Sequence, residues 1–408
     1  MRGSGARNSR FESPYAASAL AAASLAAAGS AAAAFLPFFV LRPNRIAQGR
    51  SIALVQAEPW ILAALMVLWA AFLFLELRSS RRGAAIVSVS IVALALAATG
   101  LAAPRLAGVS HVARLSLGSG FWLLGLAAYA SFVVASRGVG GSPESRRAWS
   151  FASSLALVIV LGLLLASGSL DSLSIVREWG AQRAVFAAQM RRHAALTAAA
   201  VIAGGLLGLS IGGAASRGKT AKSTGFLALN FFQTIPSLAL FGLLILPLAA
   251  LANRFPLLRS WGIGGIGVAP ALIALSLYAA LPIARNACAG LEGVPPAALD
   301  AGRGMGMGKA QLFLRVELPL ALPVVVAGFR TATVQAIGNV AIAALIGAGG
   351  MGVFIFQGLG QFAMDMVLMG TLPVVAMALA ADAAFGSLAR ALTPRGLRIA
   401  AIRAGDAP

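Results

Sequence analysis

The sequence predicts an all-α polytopic membrane protein with about ten transmembrane helices. Two observations support this fold class. Of the 408 residues, 59% are hydrophobic and only 11% are charged, whereas a soluble domain carries roughly 25% charged residues. The apolar residues also form long runs, each able to cross a hydrocarbon core of about 30 Å as a helix. A soluble enzyme or binding domain is therefore excluded.

The net charge of +20 would indicate nucleic-acid binding in a soluble protein. Here the positive residues lie mainly in short loops between apolar runs, where they set membrane orientation. We therefore expect the positive charge to reflect insertion in a lipid bilayer, and we expect no nucleic acid as a partner. The two histidines, His111 and His193, lie far apart in the sequence, and we predict that both are interfacial rather than metal ligands.

Residues 1–170 are predicted to form an N-terminal membrane extension of about five helices. The first apolar run is longer than the roughly 7–15 residues of a signal-peptide core, so we predict an uncleaved span. None of the five spans carries a polar group of residues that indicates chemistry. The predicted spans are 16–41, 59–77, 84–103, 119–136 and 149–170.

Residues 171–193 mix charges with aliphatic and aromatic side chains, which predicts an amphipathic interfacial linker. A five-helix core follows over 194–390, and 391–408 form a polar tail. The predicted core spans are 194–214, 223–248, 266–285, 320–346 and 365–389.

Charge in the loops predicts the orientation. With both termini in the cytoplasm, cytoplasmic loops hold more Lys and Arg than the opposite loops, and loop 347–364 on the outer side holds none. This bias is the one that sets topology in membrane proteins. It places residues 296–319 on the cytoplasmic side.

Residues 296–319 read PAALDAGRGMGMGKAQLFLRVELP, too polar to span lipid. Pro295 and Pro296 can open a helix near Ala297, and glycines then interrupt it. A second helix is predicted from about Lys309 to Leu318, ended by Pro319. Two short helices joined by a glycine bend at a membrane surface would form a docking element for a soluble partner.

This segment resembles the cytoplasmic "EAA" loop of ABC-importer permeases. Asp300, Ala301 and Gly302 stand for Glu-Ala-Ala, and Gly306 stands for the following glycine. The Ile-x-Leu-Pro end is matched, at the family spacing, by Val316, Leu318 and Pro319. The departures are conservative, although Gly302 in place of alanine should loosen the first helix by about 1 kcal/mol. The resemblance implies that this loop couples the chain to an ATPase.

Longer runs resemble the permeases of osmoprotectant importers, those for glycine betaine, carnitine and choline. The runs are 230–248, 269–307 and 316–352. The resemblance implies a bacterial cytoplasmic (inner) membrane protein that works with a second permease subunit (the same or a homologous chain), ABC ATPase subunits and an extracytoplasmic substrate-binding protein. It also implies that selectivity among solutes resides largely in that binding protein.

Glycine-rich motifs in this chain do not predict nucleotide binding. Residues 262–267 and 347–352 fit G-x-G-x-x-G, but neither follows a strand that opens a βαβ unit. In the segment around Lys309, Arg303 and Ala310 stand where a phosphate loop needs Gly and Ser/Thr. We expect no cofactor in this chain, with ATP and Mg²⁺ bound by the partner ATPase and no enzymatic activity here. The glycines of 347–352 instead predict a tight outer turn.

Two stripes of uncharged polar residues fall at helical spacing in the core. They either line a translocation path or form hydrogen bonds between helices, and the sequence leaves both open. The first stripe is Asn230, Gln233, Thr234 and Ser237, and the second is Thr331, Gln335 and Asn339.

Arg330 lies inside a predicted span, where a charge is costly and indicates function by default. The structural alternative is that its side chain folds back toward the inner surface or pairs with a carbonyl group. Asp382, in the last span, either pairs with a basic residue such as Arg390 or stays hydrated.

The leading hypothesis is therefore the permease of an ABC importer for a compatible solute. A permease for another small solute, such as an amino acid, is the alternative within this class. An ion-coupled secondary transporter would need carboxylates or histidines deep in several spans, and a membrane enzyme would need clustered catalytic groups at the interface. Neither pattern is evident.

Overall fold

The computed structural model describes residues 14–44, 48–108, 113–137, 143–260 and 262–394. It divides into two compact units, Met1–Ala181 and Gln182–Pro408. The basic N-terminal segment, His111 and the predicted tail beyond residue 394 lie outside the described residues.

The first unit is helical with a small antiparallel sheet. Its elements are α1 (Pro14–Phe35), β1 (Pro37–Arg42), β2 (Arg50–Ala53), α2 (Leu54–Ala57), α3 (Pro59–Leu77), α4 (Arg81–Ala107), β3 (Arg114–Leu117), α5 (Ser119–Arg137), α6 (Pro143–Ala166) and α7 (Ser174–Ala181).

The predicted first span, 16–41, is too long, because α1 ends at Phe35 and the chain turns into β1 at Pro37. Proline lacks the N–H that would continue the helical ladder. The following strand pairs with β2 on one side and with β3 on the other, in the order β2-β1-β3. Phe38 and Phe39 are fully buried and their rings make an edge-to-face contact at 5.1 Å. The sheet was not predicted, because its strands are short and adjoin apolar helices.

The second unit contains the core helices. Its elements are α8 (Arg183–Ala215), α9 (Lys219–Thr234), α10 (Ser237–Arg254), α11 (Pro256–Ser260), α12 (Val268–Glu292), α13 (Pro296–Gly304), α14 (Lys309–Leu312), a π-helical turn (Phe313–Glu317), α15 (Leu318–Ala343), a 3₁₀ turn (Ala344–Ile346), α16 (Gly352–Gly360) and α17 (Met364–Leu392).

Eight helices of the described residues are long and apolar enough to cross a membrane, and two shorter apolar helices, Leu20–Phe35 and Phe151–Ala166, accompany them. The predicted helical membrane protein with about ten helices is confirmed. The eight long spans fall within α3, α4, α5, α8, α10, α12, α14 to the 3₁₀ turn, and α17.

The predicted interfacial segment 171–193 does not form one helix. The α7 helix ends at Ala181, and α8 then runs without interruption from Arg183 to Ala215. Residues 183–193 therefore extend the first core helix. Most side chains of 183–193 are exposed, as an amphipathic composition predicts, but composition did not reveal that the segment continues the core helix.

The predicted second core span, 223–248, is broken into α9 and α10. Ile235 and Pro236 separate them in extended conformation, with ψ of 127° and 138°. The residue before a proline is biased away from the α conformation, which explains the break.

Glycines hold α8 close to α12. A Cβ atom added at Gly204, Gly208 or Gly212 would lie 2.6, 2.6 and 2.5 Å, respectively, from a backbone oxygen of α12. The three glycines recur every four residues, so they form one face of α8. Small residues at this spacing let membrane helices approach closely and pack through van der Waals contact. This contact fixes the core around which the functional residues lie.

Candidate functional site

The predicted docking element begins with α13, which starts directly after Pro295 and has Pro296 in its first turn. The chain leaves the helix at Met305, and Gly306 takes a positive φ of 76°. The N–H of Met307 donates to the carbonyl oxygen of Gly302 at 3.2 Å, which closes the bend. A helix, a glycine bend and a second helix are therefore present in the predicted order.

Gly302 is the contact point between the two arms of this element. It is buried, and a Cβ atom there would lie 2.5 Å from Cδ1 of Leu312 and 3.6 Å from Cγ2 of Val316. The departure from the family's alanine therefore has a structural reason, since glycine lets α13 approach the following helix. Ala301, on the other side, is exposed.

The solvent-exposed face of the docking element carries both charged and apolar side chains. Asp300 accepts a hydrogen bond from Arg303 at 3.0 Å, and both side chains are mostly exposed. The side chains of Met305 and Leu314 are also exposed. The guanidinium of Arg217, just after the end of α8, lies 5.5 Å from the centre of the Phe313 ring. This mixed surface is suited to contact with a soluble protein.

The second arm does not end at Pro319, contrary to the prediction. Lys309–Ile346 form one uninterrupted helical span, with a π-helical turn over Phe313–Glu317 just before Leu318 and Pro319. A proline ring clashes with the carbonyl group four residues earlier in a regular α-helix. The π turn widens the helix at this point, so α15 continues through the proline.

The first polar stripe is divided by the break after Thr234, so Ser237 does not share a helix face with Asn230, Gln233 and Thr234. The prediction of a single face was wrong. Asn230 accepts a hydrogen bond from Arg285 at 2.6 Å, and Gln233 donates to the carbonyl oxygen of Tyr278 at 2.7 Å.

These bonds tie α9 to α12, in agreement with the interhelical alternative for Asn230 and Gln233. Thr234 instead donates within its own helix, to Phe231 at 2.7 Å. In the first turn of α9, Lys222 donates to both carboxylate oxygens of Glu292, the last residue of α12, at 2.7 and 2.8 Å. The hydrogen bond to that carboxylate raises the pKa of the Lys222 ammonium group.

The second stripe borders a cavity of about 540 Å³ lined by Ala327, Arg330, Thr331, Val334, Gln335 and Asp382. Thr331 and Gln335 are thus brought together with two charged side chains, whereas Asn339 is outside this lining. Arg330 does not fold back or bind a carbonyl oxygen. It forms an ion pair with Asp382, while Arg390 donates to Ser387 at 2.8 Å.

The glycines 347–352 form the tight turn that was predicted, with positive φ at Gly347, Gly349 and Gly350. Three α8 side chains hold this turn. Gln189 accepts from the N–H of Gly350 at 2.7 Å, Arg192 donates to the carbonyl oxygen of Ala348 at 2.6 Å, and His193 accepts from the N–H of Met351 at 3.2 Å.

The prediction that His193 is interfacial was wrong, since its side chain is fully buried. The three α8 residues were missed as a set. Their spacing of three and four residues on one helix was visible in the sequence, but the glycine turn that they contact lies 158 residues beyond His193. Within the part of the chain that the structure describes, no group of His, Cys, Asp and Glu is arranged to hold a metal ion.

Two family models match the chain. Residues 200–395 match the family described as binding-protein-dependent transport system inner membrane component, and residues 18–176 match the domain described as ABC transporter permease YehY, N-terminal domain.

Curated relatives are similar to about half of the chain. The chain is 38% identical over 206 residues to the choline transport system permease protein OpuBB of Bacillus subtilis. This match covers 50% of this chain and 88% of that protein. It is 40% identical over 207 residues to the osmoprotectant import permease protein OsmW of Salmonella typhimurium, covering 51% and 91%. The carnitine transport permease protein OpuCB of Listeria monocytogenes is 37% identical over 210 residues, covering 52% and 89%.

Among solved structures, the chain is similar to two inward-facing crystal forms of the MetNI methionine ABC transporter. The identities are 24% and 26%, with TM-scores of 0.44 and 0.43; the matches cover 51% and 52% of this chain and 96% and 98% of those chains.

The family match and the relatives define a permease of an ABC importer, a transport subunit that crosses the inner membrane several times. The chain belongs to the family of binding-protein-dependent transport system inner membrane components. The resemblance noted for the core residues is thereby confirmed.

Proposed function

We propose that this chain forms the solute path of an importer for a compatible solute, namely glycine betaine, choline or a similar quaternary amine. An extracytoplasmic binding protein delivers the solute. The names of the relatives support this solute class, since they are permeases for choline, carnitine and osmoprotectants. Each of these relatives is 37–40% identical to this chain over about half of its length.

The observation that carries the proposed mechanism is the continuity of the helix from Lys309 to Ile346. Its first turns pack against α13 through Gly302, and its later turns carry Arg330 and line the cavity. A displacement of α13 by a soluble partner would therefore reach the cavity through one rigid element. Helices transmit such motion because their backbone hydrogen bonds lie within the segment.

The partner at α13 is an ABC ATPase subunit in this proposal, with ATP and Mg²⁺ bound there and no cofactor bound by this chain. Asp300, Ala301, Gly302, Gly306, Val316, Leu318 and Pro319 form the coupling loop. The loop and both chain termini face the cytoplasm. A second permease subunit, the same or a homologous chain, completes the path.

Purification of the chain in mild detergent, with mass spectrometry of accompanying proteins, tests the partners. We expect an ATPase subunit and a binding protein of the betaine type. The complex is then reconstituted in vesicles, and uptake of labelled glycine betaine or choline is measured. We expect uptake only when ATP is present on the side of the membrane where α13 lies. Uptake driven by an ion gradient without ATP would overturn the proposal, and ATP-dependent uptake of an amino acid alone would overturn the solute class.

A further inference from the structure

The cavity beside α15 contains a paired positive and negative charge. Nε of Arg330 donates to one carboxylate oxygen of Asp382 at 2.5 Å, and a terminal guanidinium nitrogen donates to the other at 2.6 Å. The pair joins α15 to α17. Its side chains are 45% and 44% exposed, so the pair is accessible from the cavity rather than enclosed between the helices.

Both charges lie several turns inside their helices. At 1.5 Å per residue, Arg330 is roughly 18 Å from Leu318, and Asp382 is roughly 15 Å from Leu392, the last residue of α17. Charged groups at this depth face a water-filled cavity or another protein surface rather than lipid. The partly exposed pair therefore faces water or another protein surface at this cavity.

We propose that this cavity is a transient site for a zwitterionic solute that exchanges partners with the ion pair. The solute carboxylate takes the place of Asp382 on Arg330, and the solute ammonium group then lies beside Asp382. This inference rests on the proposed function, since it assumes that the cavity borders the solute path.

Charge balance supports this ligand class. The empty site is neutral because the pair neutralises itself, and a bound zwitterion leaves it neutral, so no net charge is taken into the membrane. Guanidinium and carboxylate groups match in a bidentate geometry, which the solute can reproduce on Arg330. The volume of about 540 Å³ is adequate for a small ligand.

The lining determines which end of the solute is recognised. Quaternary ammonium groups are often held by aromatic faces, but no aromatic residue is among those lining this cavity. The ammonium end therefore depends on Asp382 alone, and the carboxylate end depends on Arg330. Thr331 and Gln335 offer uncharged hydrogen-bonding groups nearby. A solute that lacks a carboxylate, such as choline, has no group to replace Asp382 on Arg330.

Substitution of Arg330 separates this inference from a purely structural role of the pair. Ligand binding is measured by saturation-transfer NMR on the purified permease, with glycine betaine and choline as separate probes. We expect R330Q to weaken glycine betaine binding about tenfold, the loss of one charge-assisted contact, while choline binding is unchanged or stronger because Asp382 is freed. The variant R330K, which keeps the charge without the bidentate geometry, should weaken betaine binding by a smaller factor.

The matched control is K222Q. Lys222 and Glu292 also form an ion pair between helices, with both side chains 44% exposed, but neither lines the cavity. This variant should leave both affinities unchanged. The inference is overturned if R330Q and R330K lower the affinities for glycine betaine and choline equally, or if they lower neither affinity. It is also overturned if the unmodified permease binds neither ligand.

ATP-driven uptake by the reconstituted complex gives the second measurement. R330Q should lower the ratio of glycine betaine uptake to choline uptake, and an unchanged ratio would contradict the inference while leaving the proposed function intact. If the unmodified complex imports no compatible solute although the permease alone prefers glycine betaine, the proposed function fails and only the binding of a zwitterion at the cavity is supported.

Discussion

His193 and Met351 are joined by a hydrogen bond of 3.2 Å, in which the imidazole Nδ1 accepts from the backbone N–H. Because Nδ1 accepts, the ring proton is on Nε2, which lies 3.0 Å from the carbonyl oxygen of Ile337 and donates to it. One neutral, fully buried imidazole therefore connects α8, α15 and the glycine turn. With Gln189 and Arg192, it fixes the conformation of that turn.

Replacement of His193 by leucine should destabilise the permease. The N–H of Met351 would lose its partner in a buried position, at a cost of about 1–3 kcal/mol. Thermal unfolding of the detergent-purified chain measures this loss. R191Q, which changes an exposed residue of the same helix, is the control and should unfold like the unmodified chain. Equal unfolding midpoints for H193L and R191Q would contradict the role given to the imidazole.

The glycine face of α8 predicts a contrast between two neighbouring substitutions. G208A places a Cβ atom 2.6 Å from the carbonyl oxygen of Ala280, and we expect a destabilisation of about 1–3 kcal/mol because a packed interface resists extra volume. G213A places its Cβ atom in open space, so alanine's higher helix propensity should stabilise the helix by up to about 1 kcal/mol. Unfolding in denaturant compares the two, and a loss of stability in G213A equal to that in G208A would refute the packing argument.

The break between α9 and α10 is held by Tyr278, whose hydroxyl donates to the carbonyl oxygen of Ile235 at 2.6 Å. Y278F removes this bond without changing the ring, so we expect a loss of about 0.5–1.5 kcal/mol. Y129F, at a tyrosine of the first unit that is 65% exposed, is the matched control. The same shift of the thermal midpoint in both variants would show that the hydroxyl of Tyr278 does not stabilise the break.

Substitutions in the bend should separate coupling from folding. G306V places a β-branched residue at a φ of 76°, a conformation that costs an L-residue about 1–2 kcal/mol. D300K reverses an exposed charge on α13. Both variants should reach the membrane in normal amounts and lose most ATP-dependent uptake.

The control is G308A, because Gly308 has a φ of −69° and open space at its Cβ position. This variant should keep full transport. Uptake in vesicles and immunoblots of the membrane fraction are the measurements. Normal transport by both G306V and D300K would refute the proposed coupling.

The sequence by itself determined the helical membrane class, most of the spans and the helix–bend–helix segment around Gly306. These features depend on local chemistry. Long apolar runs must form helices in lipid, since every backbone group needs a partner there, and glycine permits the positive φ that a tight bend requires. The bend at Gly306 follows from this reasoning. The continuation of the helix through Pro319 does not, because it depends on a local π turn that composition does not reveal.

Tertiary structure alone decided which distant residues meet. Arg330 and Asp382 lie 52 residues apart, and His193 and Met351 lie 158 apart. Periodicity assigns each of them to a face of its own helix but does not say which other helix that face contacts. The side chain of His193 is buried because α15 and the glycine turn contact that part of α8, and Arg330 finds its counter-charge because α15 lies beside α17. Such contacts arise only when the helices assemble.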